Sequence, residues 1–218
     1  ALDRHCEAGR GGQAALIYDS PVTGQVQKFS YDELLQQVSR FAGALKNCGV
    51  GKGDRVIIYM PMIPQAIISM LACARIGAIH SVVFGGFAAK ELATRILDAE
   101  PALVISASCG IEGSRKIPYL PLLEEALAIA GSQDMQQILV SRPEMPIEQV
   151  PPGAVLWDEA MAGADAAPSE AVSATDPLYI LYTSGTTGEP KGVVRPNGGH
   201  AVALKWSMDK LYDVKPGA

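Results

Sequence analysis

Strands and helices alternate along the middle of this sequence, and that alternation restricts the chain to one class of fold. Apolar runs rich in β-forming residues lie at Arg55–Met60, Ile79–Phe84, Leu103–Ala107 and Gln137–Val140. Apolar residues at helical spacing separate these runs. Parallel strands need long crossover connections, which are right-handed and usually helical. We therefore predict an α/β fold: a mostly parallel sheet with helices on both faces.

The region before this alternation predicts a strand pair followed by a helix. Ala15–Asp19 and Val26–Phe29 have the composition of strands, and Gly24 marks a turn between them. Ser30 and Glu33 have the spacing of a capping box, in which each side chain accepts a bond from the other residue's backbone N–H. We therefore expect a helix to begin after Ser30.

Composition narrows the classes of function. The net charge of −5 argues against general nucleic-acid binding, which requires a basic surface. No apolar run approaches the ~20 residues of a membrane-spanning helix. The four cysteines form no CxxC pair, so we expect free thiols in a reducing compartment. The three histidines form no metal-binding pattern, and we assign no metal ligand.

A loop near the end of the chain carries the strongest chemical signal. Leu178–Tyr182 is apolar and β-forming, and we predict a buried strand there. The ten residues Thr183–Gly192 contain four hydroxyls, three glycines and one lysine, and Val193–Val194 begins a second strand. Glycine lets backbone N–H groups approach an oxyanion, hydroxyls add donors, and lysine adds positive charge. The loop is therefore predicted to bind phosphate.

Two other interpretations of this loop fit less well. Ser, Thr, Gly and Pro are common turn residues, but a plain hairpin needs only one or two of them. A Walker A loop has Gly, four residues and then Gly-Lys-Ser/Thr opening a helix. Counted from Gly185, the second glycine position is Pro190, and Lys191 is followed by Gly192 and a strand.

The sequence YTSGTTGEPKG resembles the phosphate-loop signature of the adenylate-forming superfamily, which includes acyl-CoA synthetases, peptide-synthetase adenylation domains and luciferases. The resemblance implies that the loop wraps the β- and γ-phosphates of ATP. It also implies a catalytic role for Lys191, which would neutralise those phosphates. The implied ATP-binding residues are Thr183, Ser184, Gly185, Thr186, Thr187, Gly188 and Lys191.

A glycine turn after Ile79–Phe84 is a second candidate site. Gly85 and Gly86 follow the carboxyl end of that strand, where open α/β sheets bind ligands. From the residues alone, a strand-to-helix turn that needs small residues is the simpler explanation. The longer stretch ARIGAIHSVVFGGF resembles short-chain acyl-CoA synthetases of the acetyl and propionyl type. That resemblance implies that Gly85 and Gly86 border a coenzyme A site.

The segment Cys109–Lys116, which follows the predicted strand Leu103–Ala107, is a third candidate. Its glycines, serine and two cations suit an anionic ligand, and a solvated loop is an equal alternative. The resemblance to the short-chain family implies contacts with the 3′-phosphate and adenine of coenzyme A. The implied residues are Glu112, Gly113, Ser114 and Arg115. Acetyl-type members often carry arginine in place of Glu112, and this departure, with Arg195, resembles the propionate-preferring branch.

The resemblance runs from Leu2 to Tyr212 and implies part of an enzyme. We interpret the chain as a partial N-terminal domain that lacks the C-terminal domain and its catalytic lysine. Its segments are residues 1–50 (first strands and helix), 51–140 (βαβ sheet region), 141–177 (a connecting surface excursion) and 178–218 (phosphate loop and following helix).

The family activity implied is ligation of a short-chain carboxylate to coenzyme A through an acyl-adenylate, with ATP and Mg²⁺. Propionate is the favoured substrate and acetate an alternative, and the isolated chain is expected to be inactive. Two other functions stay open: a carrier-protein-loading adenylation enzyme, or a truncated, non-catalytic module that binds nucleotide or coenzyme A. The implied compartment is the mitochondrial matrix or the cytoplasm, and the sequence carries no sign of oligomeric state.

Overall fold

A twisted sheet between two layers of helices forms the frame of the molecule. The structure is a computed structural model and describes residues 2–184 and 190–214, with the backbone alone at Ser184. The strands are β1 Ala14–Ser20, β2 Gln25–Ser30, β3 Arg55–Met60, β4 Ile79–Phe84, β5 Leu103–Ala107, β6 Cys109–Glu112, β7 Arg115–Pro118, β8 Gln136–Val140, β9 Ala154–Leu156, β10 Pro177–Ser184 and β11 Pro190–Pro196. The helices are α1 Asp3–His5, α2 Tyr31–Asn47, α3 Pro64–Arg75, α4 Ala89–Ala99, α5 Leu120–Ile129, α6 Trp157–Ala162 and α7 Asn197–Lys210, with a π-helical turn at Cys6–Arg10.

Seven of the described strands form one sheet in the order β11-β10-β4-β3-β5-β8-β9. Neighbouring strands are parallel from β10 to β9, and β11 alone runs antiparallel to its neighbour β10. The prediction of a mostly parallel α/β sheet is therefore confirmed. The bounds of β3, β4 and β5 are those expected from the apolar runs.

Helices cover both faces of the sheet, as predicted, because its central strands are apolar on both sides. On β3, Val56, Ile58 and Met60 pack into one core with residues of α2, α3 and α6. Ile57 and Tyr59, on the other face of β3, pack into a second core with residues of α4 and α5. All five side chains are at most 2% exposed. Two separate cores therefore hold the sheet rigidly from both sides.

Helix α2 begins with the predicted capping box. The backbone N–H of Glu33 donates to Ser30 Oγ at 3.2 Å, and the Ser30 N–H donates to Glu33 Oε2 at 2.8 Å. Two backbone donors that the helix leaves unpaired are thus satisfied. The backbone and hydroxyl hydrogen bonds from Ser30 hold the Glu33 carboxyl pKa below its usual range, because both favour the ionised form.

Part of the segment at 141–177 belongs to the main fold. Strand β9 pairs in parallel with β8 and forms one edge of the sheet. Trp157, at the start of α6, stacks on Phe41 of α2 with ring centroids 3.8 Å apart. Further on, the Ala167 N–H donates to Ser39 O at 2.8 Å. The segment is thus more than a surface connection; it packs against the helix layer on its way back to the sheet.

The prediction that Leu178–Tyr182 is a buried strand is wrong in its burial. The strand is present as β10, but its residues are half-buried or exposed, and Leu181 is 48% exposed. β10 pairs with β4 in register at a single position, Tyr179 opposite His80, and otherwise pairs with β11. The two strands therefore form a hairpin that projects from the sheet, and Val193–Val194 lies in β11 as predicted.

Helix α7 follows this hairpin and has no buried residue. Its apolar side chains do not follow a single stripe. Its first turn contacts β10 through His200, whose ring centroid lies 4.9 Å from that of Tyr179. Among the helices of the described ranges, none combines the length and apolar character needed to cross a bilayer.

All four cysteines are free thiols, as predicted. Cys73 and Cys109 are buried, and Cys6 and Cys48 are half-buried. Burial raises the pKa of the Cys73 thiol to about 12, because the thiolate would lose its hydration. Cys73 is therefore a packing residue.

Candidate active site

The three predicted ligand-binding segments begin at the carboxyl ends of three parallel strands of the sheet. The glycine turn follows β4, the segment Cys109–Lys116 follows β5, and the predicted phosphate loop follows β10. In the sheet these strands lie in the order β10-β4-β3-β5. The chain winds outward from β3 to β4 and then crosses to β5 on the other side of β3. Ligands in such sheets bind at the carboxyl ends of the strands, beside this reversal.

The hairpin of β10 and β11 carries the described part of the predicted ATP site. Thr183 lies directly opposite Lys191 in the register, and both side chains are exposed. Directly opposite residues of an antiparallel pair point to the same face, so this hydroxyl and this ammonium group can contact one anion. The backbone of Ser184 pairs with Pro190. The predicted residues Gly185, Thr186, Thr187 and Gly188 lie outside the described residues.

The side chain of Tyr119 packs against the glycine turn after β4. The phenol of Tyr119 donates to Gly85 O at 2.5 Å. A Cβ on Gly85 would lie 2.6 Å from the Tyr119 hydroxyl oxygen, and one on Gly110 would lie closer still to the same atom. The ring of Tyr119 therefore occupies the space that two missing side chains leave. Glycine is required at position 85 by this packing, whatever the ligand.

Tyr119 remains a hydrogen-bond donor at neutral pH. Burial, followed by the neighbouring Tyr59 and Glu112, raises the pKa of its phenol to about 12. Tyr59 acts in the same way on the next part of the turn, because its hydroxyl donates to Phe87 O at 2.9 Å. Two tyrosines thus fix the backbone of the glycine turn at both ends.

The alternative of a solvated loop at Cys109–Lys116 does not describe its backbone. This segment is the hairpin of β6 and β7, paired from Cys109 opposite Pro118 to Glu112 opposite Arg115. Gly113, at φ 59, and Ser114 form its two-residue turn. A left-handed residue at this point suits glycine and the tight turns that join antiparallel strands.

The structure brings two of the predicted coenzyme A segments together. Gly86 has a φ of 139, and a Cβ built on it would lie 3.4 Å from Glu112 Oε1. Glu112 forms an ion pair with Arg115 at 3.3 Å, and the two side chains are 54% and 75% exposed. Gly86, Glu112 and Arg115 therefore form one surface, with Gly113 and Ser114 at the hairpin tip. The carboxylate of Glu112 neutralises part of the charge that Arg115 would offer to a phosphate.

Arg142, which no sequence motif marks, anchors the base of this hairpin. Its guanidinium Nη1 donates to Cys109 O at 3.0 Å, and its backbone N–H donates to Ser108 Oγ at 3.0 Å. Its Nε also lies 3.3 Å from a carboxylate oxygen of Glu144. Arg142 lies in a proline-containing stretch with no clear periodicity, so no local pattern identified it.

Helix α4 contacts both candidate sites through its later turns. The guanidinium carbon of Arg95 lies 4.9 Å from the ring centroid of Phe87, in the glycine turn, and 5.4 Å from that of Tyr182, on β10. The Tyr182 hydroxyl donates to Asp98 Oδ2 at 2.6 Å. Burial and the bond to Asp98 raise the pKa of the Tyr182 phenol, so it stays protonated.

The described residues offer no ready metal site. Within residues 2–184 and 190–214, no three His, Cys, Asp or Glu side chains converge as a possible metal-binding group. The exposed side chains at the carboxyl edge of the sheet are instead suited to an anionic ligand.

A protein-family model described as AMP-binding enzyme matches residues 2–216. The chain belongs to the AMP-binding enzyme family. It is 58% identical over 220 residues to acyl-CoA synthetase short-chain family member 3, mitochondrial, from Mus musculus, covering 100% of this chain and 32% of the relative. It is 44% identical over 218 residues to acetyl-coenzyme A synthetase from Sodalis glossinidius, covering 99% of this chain and 33% of the relative.

Among solved structures, the acetoacetyl-CoA synthetase from Streptomyces lividans matches with a TM-score of 0.86 and 27% identity, over 98% of this chain and 32% of that one. The resemblance to short-chain acyl-CoA synthetases and the fold that it implied are therefore confirmed. The chain spans about a third of the length of the curated relatives it matches. The roles of individual residues in binding ATP and coenzyme A stay predictions.

Replacing Gly85 tests the packing of the glycine turn. In Gly85→Ala the new Cβ would lie 2.8 Å from the Met60 carbonyl carbon as well as 2.6 Å from the Tyr119 oxygen, so the backbone must shift. We expect the free energy of unfolding to fall by about 1–3 kcal/mol, measured by urea denaturation.

Gly12→Ala is the matched control, because nothing lies within 4 Å of its added Cβ and its φ is not in the left-handed region. We expect the control to change the free energy of unfolding by no more than about 0.5 kcal/mol. Equal unfolding midpoints for the two variants would show that Tyr119 does not constrain the turn.

Proposed function

We propose that this chain forms part of an AMP-forming short-chain acyl-CoA synthetase. Such an enzyme joins a short-chain carboxylate, with propionate favoured and acetate as an alternative, to coenzyme A through an acyl-adenylate. The observation that carries the proposal is that two candidate segments follow the carboxyl ends of adjacent strands. These segments are the hairpin of β10 and β11, called the phosphate hairpin below, and the glycine turn after β4. The names of the relatives support the same activity.

In the proposed first half-reaction, a carboxylate oxygen attacks the α-phosphate of ATP. A new P–O bond gives the acyl-adenylate, and the bond to the β-phosphate breaks to release pyrophosphate. Negative charge accumulates on the departing phosphates, so donors fixed beside them favour the transition state. Lys191 and Thr183 are suited to this role because they form an exposed, directly opposite pair at the end of the hairpin.

In the proposed second half-reaction, the thiol of coenzyme A loses its proton to solvent, and its sulfur attacks the acyl carbonyl of the adenylate. The C–S bond of the thioester forms as the C–O bond to AMP breaks. The surface formed by Gly86, Glu112 and Arg115 is proposed to receive the phosphorylated end of coenzyme A. This surface and the phosphate hairpin are joined through β4 and the start of α4. These two elements belong to the same rigid sheet and helix layer.

ATP-dependent enzymes of this kind use Mg²⁺ to offset the charge of the triphosphate. The described residues provide no converging set of carboxylates or histidines for that ion. We therefore assign none of them to Mg²⁺. Each proposed role is one that a hydroxyl, an ammonium group, a guanidinium or a backbone amide performs.

The proposed preference for propionate depends on two positions, Glu112 and Arg195, that depart from the acetyl-type pattern. The compartment is proposed to be the mitochondrial matrix or the cytoplasm, since several relatives carry the word mitochondrial in their names and another is bacterial. The division of the chain into segments 1–50, 51–140, 141–177 and 178–218 remains a proposal.

The activity is tested in a protein of the relatives' length that carries this chain. We expect ATP–pyrophosphate exchange that depends on propionate, and release of a propionyl thioester when free coenzyme A is added. The 218-residue chain alone is expected to support neither reaction. Exchange by the longer protein without thioester formation would favour a carrier-protein-loading enzyme, and exchange by neither protein would favour a non-catalytic binding module.

Lys191→Ala in the same longer protein tests the phosphate assignment. We expect adenylate formation in a single turnover to slow by about 10²–10³-fold, because one fixed positive donor is lost from the developing charge. The dissociation constant of coenzyme A should change far less. Lys28→Ala, at an exposed lysine of β2 away from the site, is the control and should leave both values as they are. Equal single-turnover rates for Lys191→Ala and the unaltered protein would refute the assignment.

Arg115→Ala tests the coenzyme A assignment through one phosphate. If Arg115 contacts the 3′-phosphate, the variant should raise the KM for coenzyme A by about 10-fold but leave the KM for 3′-dephospho-coenzyme A unchanged. Glu112→Gln is a matched variant that removes the competing carboxylate and keeps the shape, and we expect it to lower the KM for coenzyme A by about 2-fold. An equal effect of Arg115→Ala on both thiols would contradict the contact.

A further inference from the structure

We propose that Arg95 is a positioning residue that couples the glycine turn to the phosphate hairpin. This inference rests on the proposed function, since the turn and the hairpin are the proposed binding segments for coenzyme A and ATP. Arg95 contacts neither ligand in this proposal. It acts by joining Phe87, next to Gly86, to Tyr182, next to Thr183.

Arg95 lies close to one aromatic ring of each segment. The guanidinium group is flat and has two faces, and aromatic rings from two different segments lie near it at 4.9 and 5.4 Å. Cations within about 6 Å of a ring centroid are attracted to the ring face. One side chain therefore interacts with the turn after β4 and with strand β10 at the same time. The two segments are distant in sequence, and both meet at this residue of α4.

The charge of Arg95 is buried. The Arg95 side chain is only 8% exposed, although arginine is rarely buried without compensation. Its described ion-pair partner is Glu91, one helical turn earlier, with 3.1 Å between Nη1 and Oε2. Nη1 also donates to the Glu91 carbonyl oxygen. The guanidinium group is thus held from its own helix, with its central carbon within about 6 Å of the ring centroids of both Phe87 and Tyr182.

The two aromatic residues are themselves hydrogen-bonded to the sheet and to α4. Tyr182 donates to Asp98 on the same helix as Arg95. The carbonyl oxygen of Phe87 accepts the hydroxyl of Tyr59, a fully buried residue of the central strand β3. A shift of the turn therefore displaces Phe87 relative to Arg95, and a shift of the hairpin displaces Tyr182. Since both rings share one cation, a change at one alters the interaction at the other.

The test uses the longer, active protein and a double-mutant cycle between the two rings. Phe87→Leu and Tyr182→Leu each remove one ring, and we measure the KM for ATP in the exchange reaction and the KM for coenzyme A in the thioester reaction. With Arg95 present, we expect the two changes to be non-additive by about 5-fold or more in both constants. With Arg95→Lys, in which a compact ammonium group replaces the wide, planar guanidinium that lies near both rings, we expect them to be additive.

Two matched variants separate coupling from simple destabilisation. Tyr182→Phe loses the bond to Asp98 but keeps the ring, so its effects on both KM values should be additive with those of Phe87→Leu. Arg75→Lys alters another largely buried arginine, which pairs with Asp3 away from the candidate site. It should leave both KM values unchanged even if the protein melts at a lower temperature. Additive effects of Phe87→Leu and Tyr182→Leu in the presence of Arg95, or an Arg95→Lys variant whose kinetics match those of Arg75→Lys, would overturn the proposal.

Failure of the proposed function is distinguishable from failure of this inference. If the unaltered longer protein shows no ATP–pyrophosphate exchange, the function is wrong, and the coupling is then read from amide hydrogen exchange. Arg95→Lys should speed exchange at residues 85–88 and at residues 178–183 together, whereas Arg75→Lys should speed it at neither. Faster exchange in one segment only, or in neither, would overturn the coupling.

Discussion

The candidate site depends on the burial of strand β3 between two cores. Val56 to Met60 are at most 2% exposed, and alternate residues pack against helices on opposite faces of the sheet. A strand buried in this way cannot slide by one residue, because every side chain would then move to the other face. The parallel pairing of β3 with β4 and β5 fixes where those strands end. The glycine turn and the hairpin of β6 and β7 begin at those ends, so their separation is set by the core.

Much of this frame was predictable because apolar periodicity and capping are local signals. The bounds of β3, β4 and β5 followed from short β-branched runs, and the start of α2 followed from the spacing of Ser30 and Glu33. The burial of β10 was predicted wrongly, since an apolar run indicates a strand but carries no information about how many neighbours will cover it. Strand β9 is three residues long and joins the sheet through its parallel neighbour β8.

The sequence predicted which segments form the candidate site, but it did not predict the contacts between those segments. The loop chemistry pointed to the residues after β4, β5 and β10, and the sheet order brings those segments to one edge. The contacts between segments carried no sequence signal. Tyr119 lies 34 residues from Gly85, which accepts its hydrogen bond, and Tyr182 lies 84 residues from Asp98. The hairpin at Cys109–Pro118 did carry a signal, because Gly113-Ser114 between two short runs is typical of a two-residue turn.

The stacking of Trp157 on Phe41 gives the protein an internal optical reporter. The chain has two tryptophans: Trp157 is 6% exposed within the helix layer over one core, and Trp206 is 57% exposed on α7. An indole in an apolar environment emits at shorter wavelength than one in water, so the two residues contribute distinct components to the fluorescence spectrum. Loss of the shorter-wavelength emission, which comes from Trp157, reports separation of α6 from α2. A change in the longer-wavelength emission, which comes from Trp206, reports that another surface has covered α7. Spectroscopy can thus follow the frame and the terminal helix separately without any added label.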